Sequence, residues 1–148
     1  MTRVLTEIAF HFGAPDKVAY AVRLLRKAVG AGARVLVLGH PQLVRQLDAA
    51  LWVSVPTDFL PHCLGGESAQ ALALSRVVLV DEGAPTPLVD LPVLVNLGAQ
   101  MPQDLERHRR VIEVVSTDED DRALARQRWK DYTARGFTIV RHDLQLRS

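Results

Sequence analysis

Short apolar runs recur along the chain, and several are separated by stretches whose apolar residues are spaced by three or four. The short runs predict strands in residues 4–12, 33–39, 75–81, 92–98 and 109–116, with a further candidate in 137–144. Most of these runs are continuously apolar rather than alternating, which is typical of strands covered on both faces. The pattern therefore favours a mainly parallel sheet buried between layers of helix.

Three longer stretches predict amphipathic helices, in residues 14–32, 41–52 and 118–136. Glycines are placed to end the first and the third of these helices. Residues 53–67 and 81–92 are rich in proline and glycine and are expected to be mostly loop. Helices that alternate with buried strands indicate a three-layer α/β/α sandwich around a mainly parallel sheet.

Length and charge narrow the classes of function. The 148 residues suit one domain, which we expect to span residues 1–148. A net charge of +1 creates no field that would draw the whole molecule onto nucleic acid, so any basic site is local. The single cysteine, Cys63, excludes an internal disulfide and is typical of a reduced, intracellular compartment. We expect no signal peptide and no membrane span, because no apolar run approaches the roughly 20 residues that a span needs.

Motifs that would indicate an enzyme are missing from the sequence. There is no GxxxxGK[ST] loop to hold phosphates, and the glycines of GAGARV lie between a helix and a strand, the wrong order for phosphate binding. No histidine has the spacing of a metal site, and adjacent His62 and Cys63 point to opposite faces of an extended segment. We therefore predict no catalytic residues, no cofactor and no metal.

Two aromatic features remain as candidate sites. The first surrounds Trp52, at the end of a predicted helix, and continues through Phe59, Leu60 and Pro61 in the following loop. Such residues either close over the core or stand exposed as partner contacts, because Trp and Phe contribute strongly to interfaces. Pattern alone favours the core, since large apolar residues are usually buried.

The second feature is the predicted helix in residues 118–136. Ser116 and Glu119 fit a capping box, and acidic residues follow in the first turn, where they suit the helix dipole. Arg122, Arg126 and Lys130 are spaced by four and form one stripe, with Trp129 at its edge. This face has two interpretations. It is either a solvated surface with ion pairs such as Asp118–Arg122, or a small site that binds a carboxylate together with an apolar side chain. Pattern alone favours the solvated face.

Three blocks give the chain a family resemblance: LDAALWVSVPTDFLPHCLGGE, VLVNLG and VIEVVSTDEDDRALARQRWKDYTARGF. In this order and spacing they resemble the chi subunit of bacterial DNA polymerase III holoenzyme. The resemblance implies a non-catalytic, cytoplasmic adaptor at replication forks, with a nucleotide-binding-like fold that lacks a phosphate loop. It also implies that the protein binds the acidic, aromatic-ending C-terminal tail of single-stranded DNA-binding protein and reaches DNA only indirectly. A psi-type subunit would link it to the clamp loader.

The resemblance also assigns residues. Arg126 and Lys130 match basic tail-binding positions, Trp129 an aromatic one, and Val115 an apolar wall of the pocket. The psi-facing surface corresponds to Trp52 and Phe59, with Leu60 and Pro61 adjoining them; a competing helicase is another expected partner there. The alternative function is a small α/β nucleotide-binding protein or enzyme with an unrecognised site. Direct binding of nucleic acid through the basic helix is a third possibility, and the low net charge weighs against it.

Overall fold

Seven parallel strands form one sheet in the computed structural model, which describes residues 6–53, 60–87 and 89–144. The strands are β1 (Glu7–Ala14), β2 (Val35–Gly39), β3 (His62–Leu64), β4 (Val77–Asp81), β5 (Val93–Asn96), β6 (Arg110–Ser116) and β7 (Ile139–Asp143). Their order across the sheet is β3-β4-β2-β5-β6-β1-β7. The two edges are therefore β3 and β7.

Helices cover both faces of this sheet. They are α1 (Lys17–Gly30), α2 (Pro41–Val53), α3 (Ala69–Leu74) and α4 (Glu119–Ala134), with a short 3-10 helix at Leu105–Arg107. Leu25 of α1 and Leu47 of α2 are buried in the same cluster, on one face of the sheet. Tyr132 of α4 belongs to a second cluster on the other face, and α3 packs against it through Leu72. The result is the three-layer α/β/α arrangement predicted from the sequence.

The predicted elements are confirmed, with small changes in their bounds. The candidate last strand is present as β7, and the sheet is parallel throughout rather than mainly so. The short β3, α3 and 3-10 helix lie in segments that we expected to be loop or had not assigned. β3 has only three residues, so no periodicity could reveal it; it exists because it pairs with β4. No helix in the described ranges is long and apolar enough to cross a bilayer.

His108 is a buried residue in the connection between β5 and β6, and hydrogen bonds tie it to the segments before β5 and before β1. Its Nδ1 donates a hydrogen bond to the Leu91 carbonyl at 2.7 Å, and its own carbonyl accepts one from the Thr6 hydroxyl at 2.8 Å. Burial lowers the pKa of His108 below its ordinary value of 6.5, although the bond to Leu91 favours the protonated ring. The folded protein thus holds this imidazole neutral at a pH where the unfolded chain already takes up a proton.

We expect stability to fall as pH drops below about 6.5, because in that range the unfolded chain binds more protons than the folded one. Urea unfolding at pH 7.5 and pH 5.5 measures the effect in the wild type and in His108→Asn, which keeps a donor but does not titrate. The variant should lose less stability than the wild type between the two pH values. An equal loss in both proteins would contradict this role for His108.

Candidate functional site

A groove of about 290 Å³ runs along one side of α4. Its size is at the lower end of the range for ligand sites, which suits a peptide side chain and its flanks better than a large cofactor. The groove is lined by Phe12, Arg122, Arg126, Trp129, Lys130 and Arg141. Four of these six residues are cations and the other two are aromatic. The site therefore combines positive charge with an apolar surface.

The start of α4 is set by a carboxylate cap. Asp118 is the cap residue, and its Oδ2 accepts a hydrogen bond from the Asp121 amide at 3.1 Å. In return, Oδ2 of Asp121 accepts from the Ser116 amide at 2.8 Å. The predicted Ser116/Glu119 capping box is wrong: aspartates two residues further along supply both acceptors. Glu119 is consequently available to the arginines of the groove.

Lys17 joins the first turns of α1 and α4. Its Nζ lies 2.9 Å from Oδ2 of Asp121 and donates to the Leu97 carbonyl at 3.0 Å. Burial alone would raise the pKa of the Asp121 carboxyl, but the hydrogen bonds from the Ser116 amide and Lys17, with the lysine's charge, lower it. This partly buried pair holds the amino end of α4 against the body of the protein.

A buried polar network holds the middle of α4. Glu113 of β6 is fully buried; its Oε1 accepts hydrogen bonds from Asn96 at 2.9 Å and from Nε of Arg128 at 3.1 Å. Its Oε2 accepts from the Tyr132 hydroxyl at 2.7 Å, and Arg128 also donates to the Ala99 carbonyl at 2.9 Å. Burial raises the pKa of Glu113, opposed by the charge of Arg128 and by these donors. Three donors aimed at two oxygens suit the carboxylate form.

This network fixes the rotation of α4 about its own axis. Arg128 and Tyr132 are one turn apart and both point inward to Glu113, so the helix face carrying Arg126 and Lys130 points outward. The sequence pattern alone had assigned no role to Arg128. A glutamate inside the apolar strand RVIEVVS was the signal that a buried partner was needed.

Aromatic rings form the floor of the groove. The Trp129 ring lies 5.1 Å from that of Phe10 and 6.1 Å from that of Phe12, measured between centroids. Phe10 and Phe12 stack on each other at 5.6 Å. The guanidinium of Arg141, on β7, lies over the Phe12 ring at 4.5 Å from its centroid. The aromatic floor is thus made by β1 and α4, and Arg141 of β7 lies over one of its rings.

The cations of the groove differ in how their charge is balanced. Glu119 lies 3.7 Å from Arg122 and 3.2 Å from Arg126, so it partly neutralises both. Arg141 has a longer contact with Asp143, at 3.8 Å. Lys130 forms no ion pair with another described residue. The charge that is least balanced within the protein therefore belongs to Lys130 and Arg141.

The structure brings together three of the four residues predicted for this site. Arg126, Trp129 and Lys130 all line the groove. Val115, expected to be an apolar wall, is instead fully buried beneath it, beside Phe12 in the register of β6 and β1. The half-buried Phe12 lines the groove and supplies the apolar surface that was assigned to Val115. Phe12 and Arg141 were not predicted, because only the pairing of β1 with β7 places them beside α4.

The second predicted surface lies around the end of α2. Trp52 is 60% exposed, and the centroid of its ring lies 5.0 Å from that of the His62 ring. Pro61 is also exposed, but Leu60 is only 6% exposed and packs in the core. The prediction that Leu60 belongs to an exposed interface is therefore wrong, because its side chain fills space beneath α2. Phe59 lies outside the described residues.

The two surfaces are at opposite ends of the sheet. Trp52 lies beside β3, at one edge, through its contact with His62. The groove involves β1 and β7, at the other edge. Six strand spacings of about 4.8 Å separate β3 from β7, which is roughly 29 Å. Ligands of moderate size can occupy both surfaces at once.

Known proteins resemble this chain in fold and in sequence. The solved C-terminal domain of the DEAD-box protein Dbp5 shares the fold, with a TM-score of 0.63 and 10% identity over 97% of this chain and 92% of that one. The DNA polymerase III subunit chi of Pseudomonas aeruginosa is 29% identical over 145 residues, or 97% of this chain and 98% of that protein. The protein of the same name from Escherichia coli K12 is 26% identical over 110 residues, which are 74% of this chain and 73% of that protein. The family model described as DNA polymerase III chi subunit, HolC, matches residues 5–140. The chain therefore belongs to the chi subunit family of DNA polymerase III.

Proposed function

We propose that this chi family member is a non-catalytic adaptor whose α4 groove binds the C-terminal tail of single-stranded DNA-binding protein. A second surface, around Trp52, binds a psi-type subunit of the clamp loader or a helicase that competes for the same place. The protein thereby links the clamp loader to DNA that is already coated, and contacts that DNA only through its partner.

The observation that carries this proposal is the pairing of four cations with an aromatic floor in one groove. An acidic peptide that ends in an aromatic residue has the complementary features in a single short segment. Its carboxylates accept charge-assisted hydrogen bonds from Arg126 and Lys130, while its terminal ring lies on Trp129 and Phe12. A groove with cations alone would suit any polyanion, including bare nucleic acid; the aromatic floor favours the peptide.

The separation of the two surfaces supports an adaptor. Because they lie at opposite edges of the sheet, occupation of the groove leaves Trp52 accessible. An exposed tryptophan is typical of the residues that contribute most to a protein interface.

The amino end of α1 weighs against the alternative of a nucleotide site. Asp16 caps this helix, and its carboxylate accepts a hydrogen bond from the Ala19 amide at 3.1 Å. A phosphate bound at a helix start would need those amides, and the carboxylate would repel it. Lys17, the nearest lysine, already pairs with Asp121.

Alanine variants of the groove test the tail-binding proposal. We expect Arg126→Ala and Lys130→Ala each to weaken binding of a tail peptide by about tenfold, since each removes a hydrogen-bond donor to a charged group. The loss should be larger for Lys130, because Glu119 already balances part of the charge of Arg126. Affinity should also fall as salt rises, because both side chains are exposed. Titration calorimetry measures both effects.

Arg109→Ala is the matched control. It removes an exposed arginine that lies immediately before β6 and does not line the groove, so it should leave the affinity unchanged. Unchanged affinity in both groove variants would place the tail elsewhere. Equal loss in the control would mean that only overall charge matters.

A further inference from the structure

A second cavity, of about 570 Å³, lies where the chain enters β5 and β6. Its volume is within the range of small-ligand sites. Two apolar residues and four polar or charged ones line it: Val89, Asp90, Leu91, Asp104, Arg107 and His108. None of them lines the α4 groove, so the proposed function makes no use of this His108 cavity.

His108 gives the cavity a hydrogen-bond acceptor. Its residue is only 4% exposed, and its Nδ1 lies 2.7 Å from the Leu91 carbonyl. Because a carbonyl can only accept, Nδ1 carries the proton and Nε2 of the neutral ring has a free lone pair. Among the described residues no donor reaches Nε2, and this atom is not sealed from solvent. Since His108 lines the cavity, Nε2 is available to a ligand there.

The charges around His108 decide what sort of ligand fits. Asp90 and Asp104 lie close enough to favour the protonated ring, and Arg107 lies close enough to oppose them. A nitrogen of Arg107 donates to the Pro87 carbonyl at 3.2 Å, which occupies part of its guanidinium. Two carboxylates against one guanidinium leave the wall with a net negative charge. An anion would meet these carboxylates and the lone pair of Nε2, so the cavity favours a cation.

The arrangement suits an organic cation better than a metal ion. In residues 6–53, 60–87 and 89–144, no three His, Cys, Asp or Glu side chains come together as metal ligands would. An ammonium or guanidinium group carries several N–H donors that point in different directions, so it can serve an imidazole and a carboxylate at once.

We propose that the His108 cavity binds an organic cation with N–H donors, either a lysine or arginine side chain of a partner protein or a free alkylamine. One N–H donates to Nε2 of His108, and the positive charge faces Asp90 and Asp104. The methylene stem of the cation lies on Val89 and Leu91, as such stems commonly do on apolar surface. This site acts independently of the α4 groove.

Three probes test the proposal when each is titrated into isotope-labelled protein at pH 7.5 and followed by NMR. They are 1,4-diaminobutane, N-acetyl-lysine amide and tetramethylammonium. We expect the diamine, the lysine derivative or both to shift the amide signals around the cavity, and the one that binds more tightly identifies the source of the cation. Tetramethylammonium has the charge but no N–H, and it should bind about tenfold more weakly. Binding of neither amine, or equal binding of tetramethylammonium, would overturn the proposal.

Single substitutions assign the contacts. His108→Asn keeps a donor for the Leu91 carbonyl but removes Nε2, and it should weaken amine binding by about tenfold. Asp104→Asn should weaken binding by about threefold, as for a partly exposed ion pair. Asparagine tolerates the left-handed backbone of this residue, whose φ is 54°.

Glu106→Gln is the matched control, because Glu106 is an exposed acidic neighbour that does not line the cavity. Its affinity for the amine should equal that of the wild type. The proposal fails if His108→Asn binds as the wild type does, or if Glu106→Gln loses as much affinity as Asp104→Asn. The comparison of Glu106→Gln with Asp104→Asn remains decisive if His108→Asn does not fold.

The titration of His108 supplies a readout that a purely structural role would not change. Protonation converts Nε2 from an acceptor into a donor and adds a positive charge, so the cation binds the neutral ring more tightly. Saturation with the amine should therefore move the His108 imidazole titration, followed by NMR, to lower pH. A midpoint that stays unchanged or rises would contradict the contact with Nε2.

Discussion

Replacement of Arg128 by alanine is expected to lower the free energy of unfolding by about 3–5 kcal/mol, the usual cost of leaving one member of a buried ion pair alone. The side chains of Arg128 and Glu113 are 3% and 0% exposed. Without the arginine, the Glu113 carboxylate keeps only Asn96 and Tyr132 as donors and has no counter-charge. Urea unfolding followed by circular dichroism measures the loss.

Arg126→Ala is a closely matched control for this experiment. The two arginines are two residues apart on α4, but Arg126 is exposed and faces the groove. Its replacement should change stability by no more than about 0.5 kcal/mol, as is usual at the surface. If the two variants were equally stable, the buried network would not be what holds α4 in place.

Replacement of Trp52 by alanine should remove the clamp-loader partner while leaving the tail site intact. A tryptophan at the centre of an interface typically contributes about 2–4 kcal/mol, which corresponds to roughly 30-fold to 1,000-fold in affinity. Because Trp52 is mostly exposed, the variant should fold normally. Pull-down of tagged protein from its own cells, followed by identification of the clamp-loader subunits, measures the effect.

Leu124→Ala serves as the comparison, since Leu124 is also an exposed apolar residue but lies on α4. This variant should retain clamp-loader subunits as the wild type does. In the Trp52→Ala sample, single-stranded DNA-binding protein should still be recovered. Retention of the clamp-loader subunits by Trp52→Ala would show that their contact surface is elsewhere.

Most of the fold was predictable because its strands are continuously apolar and its main helices are amphipathic. Both patterns depend on residues that are near one another in sequence. The errors concern short elements and precise boundaries. The 3-residue β3 depends on pairing with β4, and the α4 cap depends on which of several neighbouring acidic side chains reaches the free amides.

The candidate site was predictable only on the helix side. Arg126, Trp129 and Lys130 lie on one face of α4, and helical spacing reveals that face. Phe12 and Arg141 come from strands far apart in sequence, and they meet α4 because β1 lies between β6 and β7. The pattern of residues along the chain does not reveal that strand order. The family resemblance had assigned the apolar wall to Val115, which is the neighbour of Phe12 in the sheet and is buried.

One helix thus has two separate tasks. The inward face of α4, through Arg128 and Tyr132, holds the helix against β6 by a buried carboxylate. The outward face presents Arg126 and Lys130 beside an aromatic floor. Stability and binding therefore depend on different residues. Variants of the inward face should lose stability, whereas variants of the outward face should lose affinity for the tail and keep their stability.

The central claim is that the groove binds the tail of single-stranded DNA-binding protein. Its most direct test is the affinity of this protein for the full-length partner and for a form that lacks the C-terminal tail, both coated on single-stranded DNA. We expect binding to the full-length form alone, and competition by the free tail peptide. Equal binding to both forms, or to the bare DNA, would contradict the account.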